Sequence, residues 1–151
     1  MGYYVSSEGV ITVPAENLDA AYQALVDLNK SDDLKRGGSS STEKKPASST
    51  SVANNPNVWF SWMPWNYDAL YSTAQEILEE LGFDTEITED GSLEFFGYDN
   101  KIGAEDVFVE ALAPYVSEDS EMIWTGEDAE KWRWTFKNGD MIVQKAVITW
   151  E

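Results

Sequence analysis

Residues 130–150 read EKWRWTFKNGDMIVQKAVITW, and this stretch decides the fold. Trp132, Trp134 and Phe136 alternate with Lys131, Arg133, Thr135 and Lys137. A period of two places the aromatic rings on one face and the polar groups on the other, the pattern of a half-buried strand. Asn138-Gly139 follows, the residue pair best able to adopt positive φ in a two-residue hairpin turn. The earlier run MIWT at 122–125 adds a strand in front. Together these segments predict a C-terminal three-stranded antiparallel meander.

Working outward toward the N-terminus, similar local signals place the other elements. Residues 83–98 read as a hairpin about Asp90-Gly91, with Thr85, Ile87, Leu93 and Phe95 on one face and Glu86 and Glu94 on the other. Residues 103–113 read as a helix that turns Val107, Phe108, Ala111 and Leu112 inward and Glu105, Asp106 and Glu110 outward, ending at Pro114. A second helix starts at Asn66, carries an inward stripe of Leu70, Ala74, Ile77, Leu78 and Leu81, and stops at Gly82. Its Glu76, Glu79 and Glu80 lie off that stripe. Residues 58–65, VWFSWMPW, predict a strand ending at Pro64. Residues 35–57 are Ser, Gly, Pro, Asn and Lys with almost nothing to bury, and predict a flexible loop within one domain. A further helix is predicted over 14–30, on the stripe Leu18, Ala21, Tyr22, Leu25 and Leu28. Residues 3–13 predict a strand or a short hairpin turning at Ser7-Glu8-Gly9. The expected architecture is α+β over residues 1–151, a single domain. It combines a mixed or mainly antiparallel sheet with about three helices packed on it.

Charge is the second feature. The chain carries 28 acids against 10 bases, a net charge of -18. Residues 66–130 hold 19 of the acids and one base, Lys101, which equals the whole net charge; the remainder has nine of each sign. The acidic segment is also rich in periodic apolar residues, unlike a disordered acidic tail. It predicts a folded element with carboxylates on its outside. Candidate partner-binding acids are Glu76, Glu79, Glu80, Glu86, Glu89, Asp90, Glu94, Glu105, Asp106, Glu110, Glu118, Asp119, Glu121, Glu127 and Asp128. Such a surface repels nucleic acid and anionic membranes and attracts basic protein surfaces. Greater solubility is the plainer use of the same charge.

Other chemistries are poorly served. Cysteine and histidine are absent, so thiol catalysis, disulfides and imidazole ligation are excluded. No phosphate-binding glycine loop, G-x-S-x-G or H-E-x-x-H motif occurs. Glu127, Asp128 and Glu130 beside Trp124 and Trp132 form the one acid-and-aromatic grouping suited to a small carboxylate hydrolase. The loop TEDGSLEFFGYDN lacks calcium-loop spacing, and no cofactor is expected. The start MGYYVSSEG has neither the basic region nor the apolar core of a signal peptide, and no run reaches the roughly 18–20 apolar residues that span a bilayer. A cytoplasmic, non-enzymatic binding protein is the expectation.

In its short chain, its lack of Cys and His, its interrupted αβ body and the stretch GEDAEKWRWTFKNGDMIVQKAVITW at 126–150, the sequence resembles small acidic proteins of phage and prophage. Such proteins include inhibitors of host defence nucleases, among them anti-CRISPR proteins, and some imitate DNA. The resemblance implies an anti-defence inhibitor that occupies the basic surface of a host nuclease or other DNA- or RNA-binding protein without itself binding nucleic acid. The competing reading is a homodimer or other assembly anchored by Trp59, Trp62 and Trp65.

Overall fold

A computed structural model describes residues 3–31, 34–35, 37–38 and 58–146. The fold is α+β. The strands are β1 (Tyr4–Val13), β2 (Gly37–Gly38), β3 (Val58–Trp59), β4 (Asp84–Ile87), β5 (Leu93–Phe96), β6 (Asp99–Lys101), β7 (Glu121–Gly126), β8 (Lys131–Lys137) and β9 (Asp140–Lys145). The helices are α1 (Leu18–Leu28), α2 (Tyr67–Leu70), α3 (Ala74–Leu81) and α4 (Glu105–Leu112). The main sheet has the order β4-β5-β1-β7-β8-β9, with β6 paired to β1 beyond the end of β5. Every pairing is antiparallel.

The C-terminal meander is as the sequence predicts. Lys137 pairs with Asp140 across a two-residue turn, and both Asn138 and Gly139 have positive φ. Trp134 and Phe136 are buried, and Trp132 packs against the same core. The expected third strand is described as far as Ala146; residues 147–150 lie outside the described residues, as does most of the predicted loop 35–57.

β1 is the centre of the sheet, a place its sequence does not announce. The structure replaces the hairpin alternative at Ser7-Glu8-Gly9 with one continuous strand. From Ser6 to Val10 β1 advances four residues, while its partners step back three, from Asp99 to Phe96. The extra residue is a β-bulge, and Gly9 takes φ +98° within it.

The helices cover one face of the sheet. α1 packs on both α3 and α4, while α3 borders β4 and α4 borders β9, so the layer runs α3-α1-α4. Beneath it lies a single core containing Val5, Ile11 and Val13 of β1, Leu25 of α1, Ile77, Leu78 and Leu81 of α3, and Phe108 and Leu112 of α4. Burying such side chains stabilises by about 1.5–3 kcal/mol each.

Two predicted elements differ. The helix expected from Asn66 is broken: Tyr71 is extended, and Thr73 starts α3 by accepting a hydrogen bond from the Glu76 amide at 3.1 Å. The Glu76 carboxylate accepts from the Ser72 amide at 2.8 Å, a reciprocal cap. Leu70 therefore leaves the inward stripe and is exposed. The strand expected over 58–65 lasts only two residues and pairs with β2, apart from the main sheet. Turns closed by Met63 N–H to Phe60 C=O and Tyr67 N–H to Pro64 C=O replace it. Their steps of three and four residues turn Phe60, Met63 and Tyr67 inward and leave Trp59, Trp62 and Trp65 outside.

Candidate functional site

The acidic residues must be placed one element at a time, because the sheet separates them. On α3, Glu76, Glu79 and Glu80 are exposed, opposite the buried stripe of Ala74, Ile77, Leu78 and Leu81. On α4, Asp106 and Glu110 are exposed, while Phe108, Val109 and Leu112 are buried. α1 between them exposes Asp19 and Asp27. No lysine or arginine occurs within these three helices. The nearby Lys30 reaches Asp27 at 3.6 Å, with both side chains more than half exposed, so that pair neutralises little. The outer surface of the helix layer is thus a carboxylate field.

Glu86, Glu94 and Glu121 lie on the opposite side of the molecule, on the uncovered face of the sheet. Glu86 sits across from Glu94 in the hairpin register, as alternation predicts, and Glu121 pairs with Arg133 at 3.4 Å. Glu89 and Asp90 are exposed in the β4–β5 turn, where the Thr88 hydroxyl and the Ser92 amide hold the Asp90 carboxyl below the usual range. Glu118 and Asp119 are exposed before β7, and Glu118 accepts from the Asn138 amide at 2.7 Å. Glu127 accepts from the Tyr4 amide at 2.7 Å, with Asp128 beside it in the β7–β8 turn. Fourteen of the fifteen acids therefore occupy two faces and three turns.

The fifteenth is not on the surface. Glu105 was expected to point outward, yet it is 2% exposed. It opens α4 and folds back to accept from the Gly103 amide at 2.8 Å. Burial raises its pKa above the ordinary glutamate range, outweighing the amide hydrogen bonds that lower it. Burial, and after it the Glu105 charge, raises the Tyr98 phenol. A carboxyl whose pKa is raised on folding binds its proton more tightly in the native state. Stability is then lost as pH rises from the unfolded through the folded value, and stays lost above it. Glu105→Gln should melt higher than the parent at neutral pH, and the gap should close below the ordinary glutamate range. Thermal unfolding at both pH values checks this; an equal gap at both would remove the ionisation argument.

The grouping suited to hydrolase chemistry is divided. Trp124 turns into the core, while Glu127, Asp128 and Glu130 stay exposed. A shallow depression of about 510 Å³ is lined by Tyr3, Ile102, Glu130, Trp132, Val143 and Lys145, so Glu130 is its one carboxylate. Among the described residues no three acids gather as metal ligands would, and no helix is long and apolar enough to cross a membrane.

The sequence also raised Trp59, Trp62 and Trp65 as anchors. All three are partly exposed, at 38%, 40% and 37%, while their neighbours Phe60 and Met63 are buried. The Trp62 indole lies over Gly103 and donates to the Lys101 carbonyl at 3.3 Å. The segment is tied to α1 by the Asn29 amide, which donates to the Trp65 carbonyl and to Asp68, and by the Tyr67 hydroxyl, which donates to the Leu25 carbonyl. No protein-family model, curated protein or solved structure matches the chain.

Proposed function

We propose that this protein acts by binding, with the acidic outer face of its helix layer docked on the basic surface of a partner. The sharpest form is an inhibitor that denies a nuclease or other nucleic-acid-binding defence protein its groove. The observation that supports it is the display of Glu76, Glu79, Glu80, Asp106 and Glu110, with Asp19 and Asp27 between them, on helices that contain no base. Like charges so placed repel one another and lower stability, a cost that a charge-seeking surface would offset on binding. α3 is only about 12 Å long and carries three carboxylates, and two further helices extend the field, approaching the charge density of a duplex with its phosphate every ~1.7 Å.

The test is capture of partners from a bacterial lysate at low and moderate salt, with the parent chain and with Glu79→Lys/Glu80→Lys/Asp106→Lys/Glu110→Lys. Glu76 is spared because it caps α3. Four contacts at about 0.5 kcal/mol each predict binding weakened roughly thirtyfold, with a shallower salt dependence. A captured protein that duplex DNA displaces, and that the reversed variant fails to hold, supports the reading. Partners held equally by both variants would sink it. The exposed Trp59, Trp62 and Trp65 favour a second reading, an interface anchored by aromatic rings, which charge reversal on the helices would leave intact.

A further inference from the structure

The helices cover one face of the sheet; the other carries a charge pattern of its own. Strand registers place its residues in rows across the sheet. One row runs Glu86, Glu94 and Thr12, and continuing the registers two residues past the start of β7 adds Lys137 and Asp140 on β8 and β9 to it. The next runs Asp84, Phe96, Val10, Glu121, Thr135 and Ile142. A third holds Glu8, Ile123, Arg133 and Gln144, and a fourth Asp99, Ser6, Thr125 and Lys131. The acids Glu94 and Asp99 thus stand on β5 and β6, one strand outside β1. The bases Lys137 and Lys131 stand in the same two rows on β8, one strand outside β7. Between them β1 and β7 carry Ser6, Val10, Thr12, Ile123 and Thr125, with Val10 39% exposed, together with the exposed acids Glu8 and Glu121, the second of which pairs with Arg133.

The geometry points to a second copy of this chain as the occupant of that face. Two sheets packed face to face about a twofold axis along β1 and β7 exchange left for right and keep the rows. Glu94 then lies over the partner's Lys137, and Asp99 over the partner's Lys131, each contact made twice by symmetry. Aligned sheets cross at about 30°, close enough for long lysine side chains to reach. The same axis also sets Glu86 over the partner's Asp140, one like-charge contact against two of opposite charge. A twofold axis across the strands would set Glu94 on Asp99 and lysine on lysine, so the balance of charges favours the first arrangement. Among the described residues none of these four side chains has an ion-pair partner within its own chain. The face measures roughly 29 Å by 20 Å from strand spacing and rise, so about 1,200 Å² is covered across two copies, just above what a specific interface needs. The net charge of -18 per copy opposes association at long range, but that repulsion is screened beyond about 8 Å at physiological salt. The dimer turns both helix layers outward, so the acidic surface of the proposed function is presented twice.

The experiment is the solution mass of the full chain by sedimentation equilibrium at physiological salt, over a wide concentration range. The parent should approach twice the 17.0 kDa of one chain. Lys131→Glu/Lys137→Glu should remain a monomer, as should Glu94→Lys/Asp99→Lys, each with its fold verified by circular dichroism. Mixed in equal amounts, the two variants should form a heterodimer, because every reversed charge then meets its opposite. A parent that is monomeric throughout overturns the inference. So does a dimer that persists in both variants, which would move the contact to another surface such as the tryptophan segment. So does failure of two folded variants to associate on mixing. None of these outcomes depends on whether the helix layer binds a basic partner.

Discussion

Trp124→Ala should remove a large share of the protein's folding stability. The indole is 1% exposed and sits at the middle of an aromatic chain, 4.8 Å from the Trp134 ring, 5.3 Å from Tyr98 and stacked on Trp132 at 6.4 Å. It projects from β7, the strand that joins β1 to β8, and Phe83 also lies 6.2 Å away, so four neighbouring rings lose a face at once. Truncations of buried aromatics cost about 3–5 kcal/mol, against about 5–15 kcal/mol for a whole domain. Denaturant unfolding followed by tryptophan fluorescence measures the loss. Trp124→Phe provides the internal control. The Trp124 Nε1–H is buried with no partner among the described residues, so phenylalanine removes an unpaired donor while keeping most of the volume. It should cost far less than alanine. Equal losses would mean that shape, not volume, governs this part of the core.

The second large effect is expected at Gly9. A Cβ there would stand 2.4 Å from the Glu121 carbonyl oxygen, which is backbone and cannot step aside. The φ of +98° also lies where L side chains are strained. Gly9→Val should cost about 2–5 kcal/mol, combining positive-φ strain with a forced contact against β7. Its signature differs from that of Trp124→Ala. The bulge sets the offset that brings Glu94 and Asp99 into the rows of Lys137 and Lys131, so any surviving folded fraction should also lose self-association. Denaturant unfolding gives the first number and sedimentation the second. A variant as stable as the parent would show that the bulge can be ironed out at no cost.

The elements that were legible in the sequence share a cause: their signals are local. The meander follows from alternation plus Asn138-Gly139, and α3 from its stripe plus the stop at Gly82, whose φ of +125° suits the helix end. The β4–β5 hairpin turns at the expected place but takes five residues, 88–92, because Thr88 and Asp90 cap the turn through Ser92. The break between α2 and α3 was also written locally, as Thr73-Ala-Gln-Glu76, a capping signature masked by an apolar stripe that reads through it. At 58–67 the aromatic density imitates a strand, yet the buried residues Phe60, Met63 and Tyr67 step by three and four.

The sequence by itself determined the α+β class, the meander, the amphipathic helices and the concentration of acid in residues 66–130, since each rests on periodicity or counting. It also marked which face of α3 meets water. Tertiary structure alone decided how the acids are shared out. The sheet passes between the helices and the β-hairpin, so Glu79 and Glu94, near in sequence, face opposite ways. Packing of α4 against the loop before it drew Glu105 inside, where an amide replaces part of the lost water. The central place of β1 arose in the same way. It depends on pairings with residues about 80 to 120 positions away, and a strand's own side chains do not encode which distant strands will flank it.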